Sequence, residues 1–207
     1  MIVAKETISD LLYYDGKPVL EVYIEYPQVD GPYKKTSEKN FNIFYVNKAK
    51  FENRKARIYM YRQVIARYNA AKKENFPFMV NSYRSSFNAE YVSKDYISIL
   101  FDVYTFTGGA HGDTVRTSDT WDMKKGRRVT LSEICPECTD KKVKEIIARQ
   151  ISEAHDDELF DDAVLLSAKY YDSSNFYIKD GDIYIFYPLY SIAPYSSGFK
   201  SFKIAEL

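Results

Sequence analysis

Histidine and cysteine, the residues that most often do chemistry near neutral pH, occur only twice each in the 207 residues of this chain. A zinc site built on Cys135 and Cys138 would need two further ligands, and His111 and His155 fall at no recognisable spacing from them. Nor does the chain depend on a disulfide framework, since a domain of this length can bury a sufficient core without one. No G-x-S-x-G elbow, H-E-x-x-H helix or G-x-x-x-x-G-K-[ST] loop is present. No stretch approaches the ~20 apolar residues of a membrane span. Met1 to Asp10 is too charged for a signal peptide. The chain therefore reads as soluble, with any membrane tether lying outside this sequence.

Aromatics are abundant, with 20 tyrosines and 13 phenylalanines. Tyrosine suits half-exposed strands and contact surfaces, because its ring is apolar and its tip polar. Formal charge is zero overall, yet it is unevenly placed. Between Gly31 and Lys73 twelve Lys or Arg face only Glu38 and Glu52; between Leu131 and Asp162 ten carboxylates face four cations. The basic stretch suits an anionic wall polymer, and the acidic one a basic protein; each also reads as a solvated face. Nucleic acid is not an expected partner.

Thr7 to Gln28 predicts two strands around Asp15-Gly16, with Leu20, Val22, Ile24 and Tyr26 on one apolar face. From Ser37 to Asn75 there is neither glycine nor proline, which predicts a long basic helix. Its stripe is Phe41, Tyr45, Ala49, Ala56, Tyr59, Gln63, Ala66 and Ala70, broadened by Phe44, Val64, Ile65 and Tyr68, with a bend or break near Asn47 or Asn53. Phe78 to Trp121 reads as an antiparallel meander. Short helices follow near Leu131 and from Asp140 to Ala154, then a hairpin turning at Asp180-Gly181 and a last strand from Phe199 to Ile204. The expected class is α+β: antiparallel sheets, one long basic helix, and shorter helices in the C-terminal half.

Four motifs then occur in order: "FTGGAHG" (106–112), "TLSEI" (130–134), "NFYIKDGDIYIFYPLYSIAPYSSG" (175–198) and the terminal "FKI". Together they resemble the domain-of-unknown-function family that forms the ectodomain of the lysozyme-sensing anti-sigma factor of Gram-positive bacteria. The N-terminal half, "EVYIEYPQV" followed by a long helix, is similar to the companion domain also found on peptidoglycan deacetylases. The resemblance implies two halves, 1–92 and 93–207, packed as one compact unit. It also implies an extracytoplasmic, membrane- or wall-associated module that acts by binding, with no cofactor.

His111, with Asp113 two residues on, has the makings of a general base. The glycines around it (Gly108, Gly109, Gly112) are explained as well by a bend that needs positive φ and close backbone approach, and that is the expected role. "CPEC" reads as a local disulfide bracing the loop before a helix, with free thiols as the alternative. "EAHDDELFDD" (153–162) lacks a calcium-loop order and reads as a solvated helix end. In "YPLYSIAPYSSG", Pro188 and Pro194 stiffen a path from which Tyr190 and Tyr195 project; the tyrosines act either as interface anchors or as closure of the core.

The expected function is a non-enzymatic binding or sensor module of the bacterial envelope. A basic, lysozyme-like protein would meet Asp156, Asp157 and Glu158 together with Tyr190 and Tyr195. The alternative is a cell-wall polymer or glycan binder using the basic helix and tyrosine platforms. A hydrolase built on His111 and Asp113 stands third.

Overall fold

The structure is a computed structural model, described here over residues 2–154 and 158–207. Strands β1 (Ile2–Tyr14) and β2 (Lys17–Asp30) form the antiparallel hairpin that the sequence predicts, with Ile8 opposite Ile24. Asp15 (φ 51°) and Gly16 (φ 72°) both take the left-handed conformation that a two-residue turn between twisted strands requires. Helices α1 (Lys35–Lys55) and α2 (Tyr61–Glu74) carry the chain to β3 (Asn81–Val92). This strand lies parallel to β2, from Leu20 opposite Asn81 to Ile24 opposite Ser85.

That pairing corrects the expectation of antiparallel sheets: the main sheet is mixed. Parallel neighbours need a crossover of roughly a dozen residues or more, and the long helical segment supplies it. With β4 (Tyr96–Phe106), β5 (Asp113–Asp122) and β6 (Arg127–Arg128), six strands hydrogen-bond in sequence order. A second sheet contains β7 (Phe176–Lys179), β8 (Asp182–Phe186) and β9 (Ser201–Glu206), in that order. The class is α+β, as expected.

Two compact units are interleaved in the sequence. Met1–Phe87 and Phe101–Val115 make the first; Asn88–Leu100 and Arg116–Leu207 make the second. Strands β3, β4 and β5 contribute residues to both, so a single cut at 92/93 does not separate the units.

In the first unit the helical segment packs on β2, burying Ala49, Ala56, Val64 and Tyr68 against Val19, Leu20, Val22 and Ile24. It does not break near Asn47 or Asn53. Instead a π turn, Ala56–Met60, joins α1 to α2. On an ideal helix Phe41 and Tyr68, 27 residues apart, fall about half a turn out of phase at ~100° per residue. A π turn absorbs one extra residue and takes back much of that drift. The buried face beyond it accordingly moves one position, to Val64 and Tyr68 in place of the predicted Gln63, while Tyr59, Ala66 and Ala70 stay exposed. At the other end Asn42 ties the helix to the end of β2: its Oδ1 accepts from the Val29 N–H at 2.8 Å and its Nδ2 donates to the Val29 carbonyl at 3.0 Å.

In the second unit α3 (Leu131–Ile134) begins with a capping box between Thr130 and Glu133. Helix α4 (Asp140–Ala154) turns Val143, Ile147 and Ile151, spaced by four, onto a core that includes Phe176, Ile183, Ile185 and Ile204. Helix α5 (Ala163–Tyr170), which the sequence reading does not contain, adds Ala163 to that core. Its eight residues are too few for apolar periodicity to separate helix from strand. Beneath β7, the Ser98 hydroxyl accepts the Ile178 N–H at 2.9 Å and shares a 2.9 Å hydrogen bond with the Thr120 hydroxyl.

Candidate recognition surface

The tail after β8 is anchored before it is displayed. Tyr187 is 1% exposed, and its hydroxyl donates to the Ser167 carbonyl at 3.0 Å. Burial raises the phenol's pKa, so it stays a donor across ordinary pH. Ile192 and Ala193 return into the core. Between these fixed points the chain makes a turn in which Ser191 donates from its N–H (3.2 Å) and its hydroxyl (2.6 Å) to the Pro188 carbonyl. Tyr190 occupies that turn at φ 62°, a conformation that disfavours a side chain. The residue is 61% exposed.

A 3₁₀ turn, Tyr195–Ser197, follows Pro194 and ends at Gly198 (φ 68°). It brings the Tyr195 ring to 5.4 Å from that of Tyr190, tilted by 38°. Pro188 and Pro194 are exposed. Of the two roles open to the tyrosines, closing the core falls to Ile192, Ala193 and Tyr187, and Tyr190 is left at the surface. An exposed tyrosine held against a half-buried one has less rotamer entropy left to lose on contact with a partner than a free side chain.

Glu158 lies beside this loop. Its carbonyl accepts from the Ser197 hydroxyl at 3.2 Å and its carboxylate from Lys200 Nζ at 2.5 Å, while the Phe160 N–H donates to the Ile192 carbonyl at 3.0 Å. The structure thus gathers Tyr190, Tyr195 and Glu158 into one region, with part of the Glu158 charge offset by Lys200. Asp156 and Asp157 lie outside the described residues, as does His155.

The glycine-rich segment lies between β4 and β5. Gly108 (φ 95°) and Gly109 (φ 98°) supply its positive φ values. Gly112 serves differently: a Cβ there would collide with the Tyr104 ring. His111 is exposed, and its Nδ1 lies 2.9 Å from the Gly112 carbonyl. Cys135 and Cys138 form a disulfide, both sulfurs buried in the core of the second unit. Among the described residues no group of three or more His, Cys, Asp and Glu is placed to hold a metal ion, and no helix is long and apolar enough to cross a membrane.

A hydroxyl-rich cleft of about 550 Å³ in the second unit, lined among others by Ser118, Thr130, Ser132 and Ser174, has no counterpart among the sequence motifs. There the buried Asp119 carboxylate meets the Arg128 guanidinium at 2.7 Å. Its residues are scattered over more than 50 positions of chain and leave no spacing to read.

A disulfide-braced α+β chain with a rigid tyrosine pair and a glycine-tight bend matches known families in both halves. Residues 15–114 match the family model described as "Deacetylase PdaC", and residues 136–205 match that of a "Protein of unknown function (DUF3298)". The resemblance read from the sequence is borne out: both suspected families, DUF3298 and the PdaC type, match their respective parts of the chain. A curated relative, the peptidoglycan-N-acetylmuramic acid deacetylase PdaC of Bacillus subtilis, is 29% identical over 131 residues, 59% of this chain. The chain spans 28% of that relative's length. Two crystal structures share the fold: a DUF3298 family member from Bacteroides fragilis (TM-score 0.68, 16% identity, covering 98% of this chain and 90% of that one), and a DUF3298 family protein from Pseudomonas aeruginosa (TM-score 0.61, 14% identity, covering 99% and 91%).

Proposed function

We propose that this chain is an extracytoplasmic binding or sensor module of the bacterial cell envelope, acting by recognition and not by turnover. It engages a protein partner through Tyr190 and Tyr195, with Glu158 at the edge of the contact. The observation that carries the reading is the exposed Tyr190 ring, held at positive φ and paired with Tyr195. Backbone strain of this kind persists only where the surroundings enforce it, and it concentrates at functional surfaces. The wall-related family matches support the compartment, and the buried disulfide fits an oxidising one. Lysozyme, which is basic, is the first ligand to try.

Calorimetric titration of the chain with lysozyme at ordinary salt is the test. We expect saturable binding that weakens at least tenfold in Tyr190→Ala, about 1.4 kcal/mol. Undetectable binding removes lysozyme as the ligand. Binding that Tyr190→Ala leaves unchanged removes the tyrosine pair as the contact. His111→Ala, away from the tyrosine pair in sequence and placed in the bend, is expected to leave affinity unchanged.

A further inference from the structure

The first unit holds a recess of about 700 Å³ beside the Asp15-Gly16 turn and the end of α2, within the range of small-ligand sites. One part of its lining is apolar: Phe76 and Phe78, which flank Pro77, and Val80. Phe76 is 65% exposed, and the Phe78 ring meets the Tyr68 ring edge-on at 5.1 Å. Phe76, Met79 and Val80 form a run of exposed apolar residues that no burial in the chain explains. The rim is charged. Asp15 is engaged by Lys72 Nζ at 2.6 Å and by the Tyr68 hydroxyl at 3.4 Å. Lys17, also on the rim, forms no such ion pair among the described residues. Two cations against one carboxylate leave the recess with a positive charge in excess.

Aromatic faces beside a rim with one positive charge in excess, where Lys17 acts on Asp15 through space and not in a close ion pair, suit one kind of ligand. Its ring has an apolar C–H face, its hydroxyl or amide groups donate, and it carries a negative charge. We propose that this recess binds a carboxylate-bearing saccharide, the sugar ring against Phe76 and Phe78 and the carboxylate at Lys17. The inference deepens the envelope reading and rests on it for the compartment, but it uses a different site from the tyrosine pair. A concave recess with a charged rim favours a sugar over a flat lipid surface.

The test compares N-acetylmuramic acid with N-acetylglucosamine, which has a free 3-hydroxyl in place of the carboxylate-bearing lactyl ether, in amide chemical-shift titrations of the full chain up to about 10 mM, a range that reports weak ligands. N-acetylmuramic acid is expected to shift the amides of residues 15–17, 68–72 and 76–80, with at least tenfold weaker response to N-acetylglucosamine. Lys17→Glu and Phe76→Ala should each abolish the response without moving the thermal midpoint, since both side chains are exposed. Tyr190→Ala should keep it. Equal responses to both sugars, or responses that survive Lys17→Glu, overturn the inference. So does broadening of the 76–80 amides by phosphatidylglycerol vesicles with no sugar response, which would make the exposed run a bilayer contact. Absence of a sugar response with lysozyme still bound would sink the recess and leave the tyrosine surface standing.

Discussion

Tyr190 sits at φ 62° with its ring 5.4 Å from that of Tyr195, so the most exposed ring of the tail is also the one whose backbone is strained. A left-handed side-chain-bearing residue costs roughly 1–2 kcal/mol. Glycine adopts that conformation freely, at some cost in unfolded-chain entropy. Tyr190→Gly is therefore expected to hold or raise stability by up to about 1 kcal/mol in urea denaturation while losing partner affinity. A variant that is both destabilised and fully competent to bind would contradict this account of the turn.

Gly112 is required for a steric reason. Its missing Cβ leaves room for the Tyr104 ring, whereas Gly108 and Gly109 have open space and need only positive φ. Gly112→Ala should destabilise the protein by about 1–3 kcal/mol, as overpacking does. Adding Tyr104→Ala should recover part of the loss. Additivity of the two substitutions in a double-mutant cycle would show that the contact is not the cause.

How much of this was legible in the sequence depends on whether the determinant is local. Asp15-Gly16 and Asp180-Gly181 mark hairpins because positive φ is a property of two adjacent residues, and both turns form where expected. The limits of α4, Asp140–Ala154, follow from Val143, Ile147 and Ile151. The parallel pairing of β2 with β3 was not legible, because strand direction is set by where the crossover returns the chain. The π turn at Ala56–Met60 was equally hidden. The length of an unbroken helix pointed to a bend or break near Asn47 or Asn53, whereas burial of Tyr45, Ala49 and Ala56 carries the helix through both asparagines, whose weaker helix propensity costs only a few tenths of a kcal/mol.

Glu133 couples the capping box to acid stability. The Arg127 guanidinium, bonded at 2.6 Å, and the Thr130 N–H hold its carboxyl well below the usual 4.5, at about 2. A group whose pKa is lower folded than unfolded stabilises above its unfolded value, and that contribution fades as pH falls through the folded one. The Glu133 contribution should thus be complete above about pH 4.5 and disappear towards pH 2. Glu133→Gln is expected to flatten the dependence of the urea midpoint on pH within that window. A variant that follows the wild-type acid limb throughout would show that the pair is not felt in stability.

The disulfide closes only a short loop, Cys135 to Cys138, three residues apart in sequence. Chain-entropy arguments give such a closure about 2 kcal/mol. Reduction should lower unfolding free energy by about that much and leave the far-ultraviolet circular dichroism in place, because the surrounding core retains Leu131, Val143 and Ile147. Global unfolding on reduction would assign the pair a larger role.

The site was legible in part for the same reason as the fold. Pro188 and Pro194 mark a stiff tail in any sequence, and Tyr190 and Tyr195 stand out within it. What the sequence withheld was the partition between core and surface: Ile192 and Ala193 turn inward while Tyr190 turns out. The pairing of Glu158 with Lys200, 42 residues away, was likewise beyond reach.

The most direct test of recognition through the tyrosine pair is hydrogen exchange of the chain with and without saturating lysozyme. The account predicts slowed exchange concentrated at residues 188–198 and around Glu158, lost in Tyr190→Ala. Protection confined to other segments, or a bound complex in which 188–198 exchanges as in the free chain, would contradict it.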